Sequence, residues 1–169
     1  MKKIIYASMA LILLIACNQE QKRYTQQSPE IDTVKKIVAN YNARTYDISM
    51  YADTSKTYYN SKDKFMTAAE TIEYHKGNDL NYSSRGFLPE DQEFEMVTTD
   101  EGEVWVNSWL DWQATMAESG TVIDMPIHLT FQFIDGKIVK EIGLYDRTAI
   151  VLALQASAAK KDTVVAQIE

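Results

Sequence analysis

Glu141 is the acidic residue that the sequence places best for chemistry. It lies on a predicted strand over residues 138–145, where the alternation of side chains puts it on one face with Val139, Gly143 and Tyr145. A carboxyl group surrounded by apolar side chains has a raised pKa, so it can exchange protons near neutral pH. Two interpretations stay open: Glu141 is a buried acid in a pocket, or it is a rim glutamate paired with a lysine or arginine.

The other reactive side chains form no recognised catalytic or metal-binding pattern. His75 follows Glu73 on a predicted helix and is expected at the surface. Together with His128 it makes two isolated histidines without partners at ligand spacing, which does not favour a metal site. The six glycines are scattered rather than gathered in a phosphate-binding loop, and the Gly-x-Ser-x-Gly motif of hydrolases is absent. We therefore expect no metal and no cofactor.

Cys17 is the only cysteine, and its position indicates export and lipidation. Lys2 and Lys3 precede an apolar stretch over residues 4–16, which is shorter than the roughly 20 residues that span a bilayer. A basic start followed by an apolar stretch of this length is typical of a secretory signal. The stretch ends in the letters LIAC, which resemble a bacterial lipobox. In that class of proteins the cysteine is acylated and becomes the first residue of the mature chain.

The resemblance to bacterial lipoproteins implies a division of the chain. We predict a signal peptide over residues 1–16, a lipidated Cys17 with a polar tether up to residue 27, and a flexible tail over residues 159–169. Several acyl chains hold a protein durably on a membrane, where one chain does not. In such proteins an aspartate after the cysteine marks inner-membrane retention, and Asn18 stands there instead. We therefore expect a cell-envelope protein on the outer membrane that faces the periplasm.

Composition and charge narrow the class of protein further. Hydrophobic residues make up 46% and charged residues 24% of the 169 residues, as in an ordinary folded domain, and this length suits a single core. The formal net charge is −7, and an acidic surface repels phosphate backbones. We therefore expect no nucleic-acid partner.

Residues 28–158 carry the patterns of one α+β domain. Ser28 and Pro29 are typical of a helix start, and Ile31, Val34 and Val38 follow at helical spacing. The further predicted elements are helices over residues 46–52 and 62–76, strands over 54–60, 94–97, 104–116, 122–134 and 138–145, and a last helix over 147–158. The apolar face of the helix over 62–76 is predicted to consist of Phe65, Ala68, Ala69 and Ile72. Long strands must bend, and a curved sheet closed by helices forms a cone with an apolar pocket in its mouth.

Alternation assigns the faces of the strand over residues 122–134. Its apolar set includes Leu129 and Phe131 and is predicted to face the concave side of the sheet. His128 belongs to the opposite set and is predicted to point outward.

The faces of the strand over residues 104–116 are less clearly separated. The more apolar set includes Trp112, which leaves Trp105 and Trp109 on the outer face as a contact surface for a homodimer. The opposite assignment, with Trp109 and Asp111 in the pocket, stays open.

Three motifs in this order resemble the SnoaL-like branch of the nuclear transport factor 2-like superfamily. They are MYAD at residues 50–53, DGKIV at residues 135–139 after a long strand, and YDR at residues 145–147 before a helix. The likeness extends over residues 30–155. It implies a cone-shaped, cystatin-like α+β fold with three N-terminal helices packed on a curved antiparallel sheet, often dimeric through the outer sheet face. Because members include isomerases, cyclases, dehydratases and non-catalytic binders, the fold does not decide the function.

Carrying the catalytic positions of the family over to this chain argues against ketosteroid isomerase chemistry. The family's aspartate base matches Tyr59, its protonated aspartate donor matches Leu129, and its oxyanion tyrosine falls near residues 35–38, which include no tyrosine. A base and an oxyanion donor are both needed for that reaction. Tyr145 matches a pocket-lining aromatic position of the family.

The main hypothesis is a lipid-anchored domain that binds a small, largely apolar molecule without established catalysis. The predicted ligand-binding residues are Tyr59, Trp112, Leu129, Glu141 and Tyr145. One alternative is an enzyme of the cyclase, isomerase or dehydratase type that uses Glu141 as acid or base with a tyrosine as donor. The other is a homodimeric interaction module that uses Trp105 and Trp109.

Overall fold

The computed structural model describes residues 23–166. The predicted signal peptide and Cys17 lie outside these residues. The helices are α1 (Pro29–Ala43), α2 (Ala68–Asp79) and α3 (Thr148–Ala166), with a 3-10 turn at Ile48–Met50. The strands are β1 (Tyr24–Thr25), β2 (Tyr51–Tyr59), β3 (Met66–Thr67), β4 (Tyr82–Phe87), β5 (Glu93–Thr98), β6 (Val104–Met116), β7 (Val122–Ile134) and β8 (Lys137–Tyr145).

The strands form one sheet in the order β1-β5-β6-β7-β8-β2-β3, and β4 pairs with the second half of β6. The sheet is mixed, so the prediction of an antiparallel sheet was wrong in one pairing. The strand β2 runs parallel to β8, with Thr57 opposite Glu141 and Tyr59 opposite Gly143. A parallel pair needs a long crossover connection, and here most of the chain provides it. No local sequence pattern reports such a pairing.

The three helices are not all N-terminal, which corrects a second prediction. The helix predicted over residues 46–52 is only the 3-10 turn, because Tyr51 and the residues after it pair along β8 instead. The helix α3 follows β8 and supplies the third helix from the C-terminal side. It continues to Ala166, past the predicted end at Ala158.

The helix α2 begins later than predicted. Thr67 caps it, and the side chains of Thr67 and Glu70 each bond the other's backbone N–H in a capping box. Phe65 therefore lies before the helix and is 48% exposed, although the sequence placed it on the buried face. Ala69 is exposed as well, whereas Ala68 and Thr71 are buried.

The core lies between α1 and the concave face of the sheet. Ile31 and Val34 of α1 are fully buried, as are Val106 of β6 and Phe131 of β7. The predicted inward face of β7 is confirmed, because every second residue from Ile123 onward is buried. Within residues 23–166 no helix has the length and apolar character needed to cross a membrane.

Two short pairings extend the predicted sheet. The strand β4 was not predicted, and its pairing with β6 includes Phe87 opposite Trp112. The strand β1 falls in the stretch predicted as a tether and pairs with β5. Beside it, Arg23 accepts a backbone hydrogen bond from Thr98 and forms an ion pair with Asp100 at 2.7 Å.

Candidate functional site

A cavity of about 120 Å³ lies between the concave face of the sheet, α1, α2 and the start of α3. All five residues predicted to bind a ligand line it: Tyr59, Trp112, Leu129, Glu141 and Tyr145. Most of the remaining wall is apolar, with Ile37, Met125, Ile127, Ile150 and Leu154 among its members. A water molecule occupies about 30 Å³ in the liquid, and an engineered cavity of about 150 Å³ takes up benzene. The cavity therefore has the size of a few waters or a small ring.

Glu141 is buried at the floor of this cavity and is 3% exposed. The alternative of a rim glutamate paired with a lysine or arginine is wrong. Its Oε1 accepts a hydrogen bond from the hydroxyl of Tyr59 at 2.7 Å, and its Oε2 accepts from Tyr51 at 3.0 Å and from Thr57 at 3.4 Å. Burial raises the pKa of Glu141, while these three donated hydrogen bonds oppose the rise. The carboxyl group is enclosed by hydroxyl donors rather than by cations.

The parallel register brings the hydroxyl groups to Glu141. Thr57 lies directly opposite it on β2, and Tyr59 lies opposite Gly143. A Cβ atom on Gly143 would come within 2.7 Å of Cδ1 of Tyr59 and within 3.1 Å of Cδ2 of Leu129. Because glycine has no Cβ, the ring of Tyr59 can lie flat enough against β8 for its hydroxyl to reach the carboxylate. Gly143 therefore positions Tyr59.

An asparagine side chain closes the end of the β2–β8 pair. Asn60 has a left-handed backbone conformation with φ of 49°. Its side chain accepts a hydrogen bond from the backbone N–H of Tyr145 and donates to the Tyr145 carbonyl, while its own N–H bonds the Gly143 carbonyl. These three bonds fix the end of β8, where the rings of Tyr145 and Tyr59 meet edge to face.

The ladder between β7 and β8 contains a bulge at Val139. Phe133 pairs with Ile138 and Gln132 pairs with Lys140, so β8 has one more residue than β7 at this point. Ile138 is consequently buried, and the alternation that would put Val139 on the face of Glu141 is broken there. The inward face resumes at Glu141.

His75 lines the cavity, and the expectation that it lies at the surface was wrong. Its Nε2 lies 3.0 Å from the hydroxyl oxygen of Tyr59. Its ring stacks on Tyr46 and packs against the rings of Tyr41 and Tyr74. Burial, together with the nearby positive charge of Arg85, lowers the pKa of His75 to about 4. The ring is neutral at pH 7.

A buried ion pair fixes the aromatic groups around His75. The Nε of Arg85 lies 2.7 Å from Oδ1 of Asp79, and the Arg85 side chain is fully buried. The guanidinium also donates to the backbone carbonyl of Tyr41 and to the hydroxyl of Tyr46, and it lies 3.8 Å from the centre of the Tyr41 ring. The hydroxyl of Tyr46 donates to Oδ2 of Asp79 at 2.8 Å. This cluster connects β4, the end of α1 and the end of α2.

Tyr41 carries a second hydroxyl group at the cavity wall. The indole N–H of Trp112 donates to the Tyr41 oxygen at 3.0 Å. In this hydrogen bond the Tyr41 hydroxyl is the acceptor, so its own proton takes no part in it. Burial raises the pKa of Tyr41 to about 12, so this hydroxyl is neutral and remains a hydrogen-bond donor at pH 7.

Sequence reasoning missed His75, Tyr41 and Tyr51 as parts of the site. A signal for His75 was present, because it lies at helical spacing from Ala68 and Thr71, the buried residues of α2. The prediction rested instead on the neighbouring Glu73, which is exposed.

The outer face of the sheet carries the two predicted tryptophans. Trp109 is 43% exposed and its ring packs against His128, which points outward as predicted. Leu110 and Trp112 are buried, so the alternative that placed Trp109 in the pocket is wrong. Among residues 23–159, whose side chains the structure describes, no group of three or more His, Cys, Asp or Glu side chains is arranged to hold a metal ion.

Solved structures share this architecture at low sequence identity. A nuclear transport factor 2-like protein of unknown function from Burkholderia pseudomallei superposes with a TM-score of 0.59 at 12% identity, over 74% of this chain and 96% of its own. The chain has the nuclear transport factor 2-like fold. PrhC from Penicillium brasilianum gives a TM-score of 0.59 at 12% identity over 81% of this chain and 93% of its own. A proposed SnoaL-like polyketide cyclase from Jannaschia gives a TM-score of 0.56 at 14% identity over 78% of this chain and 94% of its own.

Comparison by sequence adds no relative. No protein-family model matches the chain, and no curated protein matches it. At identities of 12–14% the structural likeness establishes the fold alone.

Proposed function

We propose that the protein is a lipid-anchored domain of the cell envelope that binds a small, largely apolar molecule in its cavity. The observation that carries this proposal is the cavity itself, with mostly apolar walls and a smaller number of hydrogen-bonding side chains. Ligand sites in proteins typically combine these two features.

The cavity volume limits the size of the bound molecule. At about 120 Å³ it is well below the roughly 300–1,000 Å³ of pockets that enclose drug-sized ligands. The proposed ligand is therefore closer to a single ring than to a polyketide, although some structural neighbours carry the name polyketide cyclase.

The anchor is proposed from the sequence around Cys17. The residues that the structure describes begin at Arg23, six residues further along, and an extended chain reaches at most about 3.6 Å per residue. A lipidated Cys17 would therefore hold the domain within roughly 20 Å of the membrane surface. Incorporation of labelled fatty acid that is lost in Cys17→Ser tests this part, and incorporation that survives the substitution contradicts it.

Native mass spectrometry of the protein purified from its own host tests ligand binding. We expect an added mass that dissociates on activation in the wild type. Leu129→Phe adds bulk to the cavity wall and should lose that mass. The control Leu144→Phe changes an exposed leucine on the same sheet and should keep it. Absence of any added mass, together with failure to take up benzene, would end the proposal.

An enzymatic function is the second candidate, and the contact between Glu141 and Tyr59 is the observation that favours it. A carboxyl group with a raised pKa bonded to a phenol can take part in proton transfer. If Glu141→Gln leaves the turnover of a processed ligand unchanged, this candidate fails.

A homodimeric module is the third candidate, supported by the exposure of Trp109 on the outer sheet face. Sedimentation tests it directly. Trp109→Ala should sediment as a smaller species than the wild type, and identical sedimentation removes the candidate.

A further inference from the structure

We infer that His75, rather than Glu141, is the group that a bound molecule contacts, and that its Nδ1 accepts a hydrogen bond from a hydroxyl group of that molecule. The inference rests on the proposed function of ligand binding. It assigns to the cavity a ligand class: small, neutral, mostly apolar molecules that carry one hydroxyl group.

Glu141 already accepts three hydrogen bonds within the protein. Both carboxylate oxygens accept hydrogen bonds from hydroxyl groups: Tyr59 at Oε1, and Tyr51 and Thr57 at Oε2. Three donors match an ionised carboxylate, which is an acceptor only. Three of the about four acceptor sites of the carboxylate are thus taken by hydroxyl groups of the protein, which leaves about one, at Oε1, and Glu141 is only 3% exposed.

The hydrogen bonds of Tyr59 select one tautomer of the His75 ring. Tyr59 has a single hydroxyl proton, and the shorter of its two contacts, 2.7 Å to Glu141, uses it. The contact of 3.0 Å to Nε2 of His75 must then be donated by the ring, so Nε2 carries the proton. In the neutral ring, Nδ1 is left with an unshared electron pair.

The ring of His75 lines the cavity and makes one hydrogen bond, through Nε2. Among residues 23–159, whose side chains the structure describes, no partner is found for its Nδ1. The tyrosine rings that pack around it contact its faces and edges, which holds the ring in place. The depressed pKa of His75 keeps this nitrogen unprotonated at pH 7.

The hydroxyl of Tyr41 is a hydrogen-bond donor in the wall of the same cavity. The oxygen of Tyr41 accepts from the indole of Trp112, and in the described part of the chain no acceptor for the Tyr41 proton is found. The rings of Tyr41 and His75 meet edge to face with centroids 5.2 Å apart, and both residues line the cavity. A hydroxyl group of a ligand can both donate to Nδ1 and accept from a donor such as Tyr41, whereas a hydrocarbon can do neither and an ether can only accept.

The tautomer is tested without any ligand. Nitrogen-15 NMR of the histidine side chains in the intact protein at pH 7 should show a protonated Nε2 and an unprotonated Nδ1 for His75. Tyr59→Phe removes the hydroxyl that selects the tautomer and should bring the two forms closer to equal population. A ring protonated at Nδ1 in the wild type would overturn the inference, whatever the cavity binds.

The ligand class is tested with phenol and fluorobenzene, which have similar shapes and differ in the hydroxyl group. Calorimetry at pH 7 should show that phenol binds about 2- to 12-fold more tightly, the ratio expected for one neutral hydrogen bond. His75→Phe should remove this preference while fluorobenzene still binds. The control His128→Phe changes the histidine of the outer face and should keep the preference for phenol.

The outcomes separate the two proposals. If fluorobenzene binds and phenol binds no more tightly, or if His75→Phe keeps the preference, the inference is wrong and ligand binding stands. If neither probe binds while the NMR shows the expected tautomer, the assignment of His75 as an acceptor stands and the proposed size and polarity of the ligand fail.

Discussion

Tyr59→Phe removes one oxygen atom and tests how the site is held together. The substitution keeps the ring, and with it the contacts to Tyr145 and Tyr74. It deletes the hydrogen bond of 2.7 Å to Glu141 and the contact of 3.0 Å to His75. The effect on the free energy of unfolding should therefore come from the hydroxyl group alone.

The size of the effect follows from the partners that remain. A hydrogen bond to a charged group contributes about 1.5–3 kcal/mol and a neutral one about 1 kcal/mol. Glu141 keeps the hydroxyls of Tyr51 and Thr57, so its charge is not left without donors. We expect Tyr59→Phe to lower the free energy of unfolding by about 2–4 kcal/mol at pH 7.

The pH dependence of this loss gives a second readout. The folded pKa of Glu141 is raised above its usual value of 4.5, so the unfolded chain releases this proton first as the pH rises, and the Glu141 contribution to stability falls with increasing pH. The hydrogen bond from Tyr59 lowers the folded pKa of Glu141. Removing it raises that pKa further, so the loss of stability with increasing pH becomes larger. The deficit of Tyr59→Phe should thus be larger at pH 7 than at pH 4.

Urea denaturation followed by circular dichroism at both pH values measures these quantities. Tyr58→Phe is the matched control, because the neighbouring tyrosine sits among outer-face side chains, Phe65 and Lys140, and not at Glu141. It should change stability by less than about 0.5 kcal/mol. The reasoning is refuted if Tyr59→Phe loses no more than the control at pH 7, or if its deficit is the same at pH 4.

Three further substitutions address the supports of the site. Gly143→Ala should lower the free energy of unfolding by about 1–3 kcal/mol and displace the ring of Tyr59. The displacement should change the side-chain NMR signals of Tyr59, and an unchanged spectrum contradicts the positioning role of Gly143. His75→Gln should remove an acid-sensitive contribution to stability, because the pKa of His75 is about 4 in the folded state and 6.5 in the unfolded state. The contribution of His75 is fully present above pH 6.5 and falls by about 3 kcal/mol as the pH drops to 4. The variant should therefore show a flatter curve of stability against pH between these values, and a curve parallel to that of the wild type would refute this. Arg85→Met leaves Asp79 without its closest cation and should cost about 3–5 kcal/mol in denaturant unfolding, and a loss under about 1 kcal/mol would contradict the assignment of a buried ion pair.

Parts of the site were predictable because they depend on local periodicity. The alternation on β7 put Leu129 on the concave face, and the same rule on β6 put Trp112 inside and Trp109 outside. Of the two interpretations of Glu141, the structure shows the inward acid, although Val139, which served as its neighbour on that face, lies in a bulge. A bulge adds a single residue and leaves no strong mark in the sequence.

Other parts depend on contacts between residues far apart in the chain. His75 was placed at the surface because its immediate neighbours are polar, yet the tyrosines that enclose it come from α1, β2 and the loop before the 3-10 turn. One of the two interpretations of Glu141 gave it a lysine or arginine at a rim as its partner. Its partners are instead hydroxyl groups on β2, some 80–90 residues earlier in the chain.

The amino-acid sequence by itself determined the strands of the second half, their inner and outer faces, the first helix and the overall α+β class, because hydrophobic periodicity and turn residues act over a few neighbouring positions. Only the tertiary structure decided that β2 runs parallel to β8, that the third helix comes after the sheet, and that Glu141, Tyr59 and His75 meet. Those contacts follow from strand register and helix packing across the whole domain, where no short stretch of sequence carries the information.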